Sequence, residues 1–342
     1  MPNNKNSAGR VLMNFFANYN LLIILVAIFI LFSILLPKTF PTAFNIQSML
    51  NYQSISVLLA LAVMVPITAG HFDMSVGYTV CIMHILAIGL QAKSGLPWGI
   101  VVLILLAGGL LIGVINGLLI TKVGINSFIA TLGVGTILYG LAFWYTDGQQ
   151  VIGNVSKNFL AIAGTVAGIP TTAIITTVIA ILLWILFDYL PLGRYFYFLG
   201  ASAKASELSG ISVKKYTMLA FIMSSFFTTI ASIMLAALLR VGQVSVGSDY
   251  LMPAFAGALL GTVAFHPGRA NVWGTVCAVL MLAVALSGLQ QLGAKYFVEP
   301  LFNGSILIIA VSIAVYTEKK RATKIKEMKN EQLCSCDPEV SK

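Results

Sequence analysis

Ten apolar stretches divide this chain, at about residues 18–36, 47–69, 74–92, 97–121, 127–146, 170–190, 215–238, 251–265, 271–293 and 299–316. A helix needs roughly 20 apolar residues to cross a bilayer, and inside hydrocarbon every backbone N–H and C=O has to be bonded within its own segment. Such a run of stretches admits one fold class, an all-α integral membrane protein. The second stretch is interrupted near its end by Pro66 and Gly70. The eighth is short and opens on Pro253, so one or two broken or re-entrant helices are expected. Only 9% of the residues are charged, against about 25% in a soluble domain. This excludes a water-soluble protein.

Charge placement predicts the orientation. With the N-terminus in the cytoplasm and ten alternating spans, the outer segments hold only Lys38, Lys93, Lys157, Arg240 and Lys295 of the 20 basic residues. The inner segments hold the rest, as the positive-inside rule requires, and both termini are then cytoplasmic. The expected organisation is a cytoplasmic N-terminus over 1–17, a transmembrane domain over 18–316 and a charged, disordered tail over 317–342. Lys5 and Arg10 before the first apolar run resemble a signal peptide, but no small-residue cleavage site follows Leu35-Leu36-Pro37-Lys38, so an uncleaved span is expected. The net charge of +9 is scattered between apolar runs and gathered in the tail, which fits juxtamembrane anchoring rather than nucleic acid. Cys81, Cys277, Cys334 and Cys336 form no disulfide framework, and the Cys334/Cys336 pair lacks a second pair of metal ligands.

Several polar motifs interrupt the apolar pattern. Thr68-Ala-Gly-His-Phe-Asp-Met-Ser-Val-Gly77 joins the second and third stretches. Asp73 or Ser75 can cap the following helix, with Gly70 and Gly77 bracketing the turn; a role at a pore mouth or an ATPase contact is the other reading. Gly109, Gly113 and Gly117 lie four apart on one helix face, a spacing that lets helices approach closely in lipid, and Asn116 beside them suits a bond across the bundle. Asn126 is a candidate N-cap. With Asn116, Ser127 and Thr131 it forms a small polar surface that fits either a translocation path or plain packing. His84 stands alone in the third stretch, where a buried structural histidine suffices. The span interiors show no Asp/Glu/His relay, which argues against an ion-driven carrier.

The longest polar, basic interruption is Leu192–Lys215, between two spans on the cytoplasmic side. The chain carries no P-loop, G-x-S-x-G elbow, H-E-x-x-H or paired-carboxylate motif. It is expected to be no enzyme, and any ATP hydrolysis has to come from elsewhere.

Three segments carry a family resemblance along nearly the whole chain. They are Gly70-His-Phe-Asp73-Met-Ser75-Val-Gly77, then Asn116-Gly-Leu-Leu-Ile followed by Asn126-Ser-Phe-Ile-Ala-Thr-Leu-Gly133, then Gly193-Arg194 with Gly200 and Ala205-Ser206-Glu207-Leu208-Ser209-Gly210-Ile211. The chain resembles permease subunits of bacterial ABC sugar importers, the branch that includes the ribose, xylose, arabinose and autoinducer-2 systems. It departs from them after Asp249, where Thr262 replaces a glycine and Phe265-His266-Pro267 replaces a flexible loop. The resemblance therefore names no particular sugar.

The resemblance implies a multi-pass protein of the bacterial cytoplasmic membrane that forms a path for a sugar or sugar-like solute. Its implied partners are a second permease subunit, a cytoplasmic tandem ATPase and a periplasmic or lipid-anchored sugar-binding protein. It implies no cofactor in this chain, since ATP would sit on the ATPase. Residues 192–215 become the coupling segment, with Arg194, Ala205, Glu207, Leu208, Ser209, Gly210 and Ile211 against the ATPase. The alternative is a stand-alone facilitator or ion-coupled carrier for a small polar solute.

Overall fold

The computed structural model describes residues 19–266 and 268–312. The segments expected as cytoplasmic N-terminus and tail, with Cys334 and Cys336, lie outside the described residues.

The helices are α1 (Asn20–Leu35), α2 (Ala43–Thr68), α3 (Ser75–Ala92), α4 (Trp98–Leu118, continued by a π turn over Leu119–Val123), α5 (Ser127–Thr146), α6 (Thr171–Asp188), α7 (Pro191–Ala201), α8 (Ala203–Leu208), α9 (Val213–Leu239), α10 (Val246–Leu260), α11 (Val272–Gln291) and α12 (Val298–Ser312). Seven of them (α2, α3, α4 with its π turn, α5, α6, α9 and α11) are long and apolar enough to cross a bilayer. Among the described residues the regular structure is helical apart from a short β hairpin, Thr165–Val166 with Ile169–Pro170, and an isolated bridge between Val151 and Gly242.

The helices sort into an inner and an outer set. Helices α2, α3 and α9 are mostly buried, whereas α4, α5 and α6 expose most of their apolar surface. Leu103, Ile137 and Leu182 are among those exposed side chains, the surface that lipid would cover. The outer helix α4 meets the inner helix α9 through glycines. A Cβ added at Gly113 would come within 2.6 Å of the Ile222 Cα, and one at Gly117 within 2.7 Å of Met218. The Gly109/Gly113/Gly117 stripe thus lets α4 and α9 touch backbone to backbone, the close approach that dispersion needs where no hydrophobic force acts.

One sequence expectation needs correction. Pro253 does not open the eighth stretch: it lies inside α10, which begins seven residues earlier at Val246. The connection between α5 and α6 is itself folded. It contains the hairpin, a short helix and the fully buried Phe159, and Val151 pairs with Gly242 through two backbone hydrogen bonds of 2.8 and 2.9 Å.

Candidate functional site

The α2–α3 connection is the polar centre of the bundle. Helix α2 ends in a Schellman motif. The His71 N–H donates to the Pro66 carbonyl at 2.9 Å and the Gly70 N–H to Ile67 at 3.0 Å. This geometry puts Gly70 at φ +80°, where a side chain would strain the backbone. The chain then turns back into the bundle. His71 Nε2 lies 3.2 Å from the Thr217 hydroxyl, and Asp73 reaches further in, to Ser224 of α9.

Asp73 has no exposed surface. Its Oδ2 accepts from the Ser224 hydroxyl at 2.8 Å, and its Oδ1 accepts from the Ser75 N–H at 3.1 Å and from the Ser75 hydroxyl. Asn116 of α4 donates to Ser75 Oγ at 2.9 Å. From the other side, Thr131 of α5 accepts the Met74 N–H at 2.9 Å and Ser127 accepts the Phe72 N–H at 3.4 Å. Asp73 thus takes the first N–H of α3, but it sits deep in the bundle rather than at a loop surface. Ser224 is the twelfth of the 27 residues of α9.

Asn116, Ser127 and Thr131 are buried and turned to this connection, whereas Asn126 is exposed and its Oδ1 accepts the Phe128 N–H at 2.9 Å. Three of the four residues offered for a path therefore hold the turn that starts α3. His84 is fully buried in α3 beside the Val241 backbone.

The 192–215 segment holds two short helices, α7 and α8. Gly193, Phe196 and Leu199 of α7 are buried against the end of α6 and the start of α9, with the Phe196 ring 5.8 Å from Phe187 and 6.4 Å from Tyr216. The Tyr197 hydroxyl donates to the Ala270 carbonyl at 2.7 Å, and the Arg269 guanidinium lies 3.9 Å over its ring. Burial pushes the Tyr197 phenol up to about 12 despite Arg269, so it stays a donor. Asn271 pins the neighbouring turn by donating to the carbonyls of Gly261, Ala264 and Arg269 at 2.9–3.1 Å.

Helix α8 is capped at both ends. Ser202 Oγ accepts the Ala205 N–H at 3.2 Å. At the other end the Ile211 N–H donates to the Ser206 carbonyl at 2.9 Å and the Gly210 N–H to Glu207 at 3.0 Å, a second Schellman motif. Ser206, Ser209, Gly210 and Ile211 thereby shape α8, while Arg194, Ala205, Glu207 and Leu208 face outward. Leu208 is 81% exposed at the tip.

The two regions touch. Gly200 of α7 lies on the Gly70 turn: a Cβ on Gly70 would be 3.3 Å from the Gly200 Cα, and one on Gly200 would collide with the Thr68 carbonyl. No spacing in the sequence announces this contact.

Residues 45–315 match the family described as branched-chain amino acid transport system / permease component. The chain is 32% identical over 284 residues to the ribose import permease protein of Bacillus subtilis, covering 82% of this chain and 88% of that one. It is 28% identical over 303 residues to the D-allose transport system permease protein of Escherichia coli K12, covering 87% and 92%. It is 28% identical over 314 residues to an autoinducer 2 import system permease protein of Klebsiella pneumoniae, covering 89% and 93%. No solved structure matches. A match across nearly all of the helical bundle, and relatives covered almost end to end, make the chain a member of this family of membrane permease components.

Proposed function

We propose that this protein is the membrane subunit of an ATP-driven importer for a sugar or sugar-like solute. In this reading it has ten spans with both termini in the cytoplasm and works with a second permease subunit. A cytoplasmic tandem ATPase supplies energy, and an extracytoplasmic binding protein delivers the cargo. The sugar class comes from the relatives, whose names are those of ribose, allose and autoinducer 2 permeases.

The observation that carries the reading is α7–α8. This hairpin buries one face on the ends of the spans and offers the other face, with Leu208 at its tip, to a partner. A large apolar side chain held at the tip of a capped helix suits a socket on another protein. Arg194, Lys204 and Glu207 around it can fix the register. Motion of α7 would pass through Gly200 to the Gly70 turn, and from there to the Asp73 cluster and the start of α3.

The test is co-reconstitution with a tandem ATPase and a sugar-binding protein from the same organism. Leu208→Asp should abolish cargo-stimulated ATP hydrolysis and uptake while membrane insertion stays normal. Unchanged stimulation would remove the coupling role. Uptake by this subunit alone in liposomes would favour the stand-alone carrier.

A further inference from the structure

A carboxylate stands on the side of this bundle at the depth of the membrane core. Asp249 is in the first turn of α10 and is exposed. Three helices fix its depth. Gly247, two residues before it, packs backbone to backbone on Gly77 and Cys81 of α3. Helix α3 itself begins beside Ser224, midway along α9. Tyr78 rests on Gly135, the ninth of the 20 residues of α5. Helix α10 therefore starts near the middle of the spans, because the chain after Arg240 drops back inward past Ile85 instead of ending at the outer rim.

A carboxylate facing lipid at that depth is costly, so such groups face water, a partner or a pathway. Among the described residues, α2 to α6 contain no Lys or Arg apart from Lys122 in the π turn after α4, and those of α9 are near its start, so the spans of a second copy hold no cation at the depth of Asp249.

Its neighbours are polar and aromatic. Ser245, Asp249 and Met252 are spaced i, i+4, i+7 and are all exposed, so they form one stripe. Tyr78 of α3 follows the Gly77 on which Gly247 packs, and the Tyr139 ring of α5 lies 5.6 Å from its ring. Below Met252 the stripe ends in apolar rings. Phe72, 43% exposed, leans on Phe255 at 6.3 Å, and it belongs to the turn that Gly200 touches. A carboxylate that accepts hydroxyl hydrogens, beside aromatic faces that cover C–H surface, is the chemistry that holds a neutral polyhydroxylated molecule.

We propose that Ser245, Asp249 and Met252 of α10, with Tyr78 and Tyr139, form one wall of the solute path, and that Asp249 accepts hydrogen bonds from the hydroxyls of a neutral polyol or sugar in transit. Phe72 and Met252 form the apolar floor on the cytoplasmic side. This rests on the importer reading, which the reconstitution above tests separately.

The experiment is cysteine accessibility in membranes that contain the assembled complex, with the four native cysteines replaced. Ser245→Cys, Asp249→Cys and Met252→Cys should react with a membrane-impermeant, charged methanethiosulfonate at least about tenfold faster than the lipid-facing controls Leu103→Cys and Ile137→Cys. At Ser245→Cys with Asp249 intact, the cationic reagent should outpace the anionic one by about tenfold, and Asp249→Asn should erase that preference. If positions 245 and 249 are as unreactive as 137, or the preference survives Asp249→Asn, the wall is wrong. An anionic cargo in cells expressing the whole system would overturn the solute class. Labelling as expected without ATP-dependent uptake would instead count against the importer reading.

Discussion

Asp73 is the residue whose role depends most on its surroundings. Its carboxylate is buried but fully engaged by Ser75 and Ser224. Removing one partner of a buried charged group leaves the other unsatisfied, at about 1–3 kcal/mol. Ser224→Ala should therefore lower the melting temperature of the detergent-purified protein by several degrees. Adding Asp73→Asn to it should cost less than the sum of the two single changes, because both act on one network. Additive losses would mean that the two side chains do not communicate. A second contrast concerns space. Gly113 has the α9 backbone against it and Gly133 has nothing within 4 Å. Gly113→Leu should cost about 1–3 kcal/mol through overpacking, whereas Gly133→Ala should leave the melt unchanged. At this scale the sequence was partly readable. Asn126 beside an apolar run announces a cap. The partners of Ser75 and Asp73 lie 41 and 151 residues away, so no local pattern could show them. Asp249 was missed for a related reason: its depth follows from where α10 starts, and that is fixed by Gly247 on Gly77.

Among the elements, the spans were the most legible, because hydrocarbon imposes both a length and an internal hydrogen-bond pattern. Less legible was the difference between a helix that crosses and one that starts partway. Helix α10 has 15 residues and α3 has 18, and both begin deep in the bundle. Their positions come from the turns before them. The α7–α8 segment was legible as polar and helical, but its contact with the Gly70 turn was not. Gly200→Val should push α7 away from the Gly70 turn. If that contact transmits motion, cargo-stimulated ATP hydrolysis should fall at least about fivefold, while binding of the ATPase, proposed to use Leu208 and its neighbours, persists in pull-down. Loss of binding together with stimulation would show that Gly200 only shapes α7.

For the whole molecule, the prediction concerns sidedness. The hairpin at Val166 and helix α8 at Lys204 are separated by one span, α6, and are expected on opposite faces of the membrane. In a cysteine-free background, Val166→Cys should react with an impermeant thiol reagent added to intact cells, and Lys204→Cys only after the membrane is opened. Labelling of both from outside would overturn the inward placement of α7–α8. Charge alone suggested this arrangement, and the structure adds that the connection before α6 carries the hairpin and the Val151–Gly242 bridge, and the connection after α6 carries the α7–α8 platform. The bundle between them carries the polar cluster.

The contact between Gly70 and Gly200 also bears on how this protein can change over generations. A side chain at Gly200 would collide with the Thr68 carbonyl, and one at Gly70 would be strained by the left-handed backbone and tight on Gly200, so the two are expected to behave as a single heritable unit 130 residues apart. Lineages that keep the lever should hold both small, and any that enlarges one should have lost the other's foothold, with a rebuilt α7 or a different way of being driven.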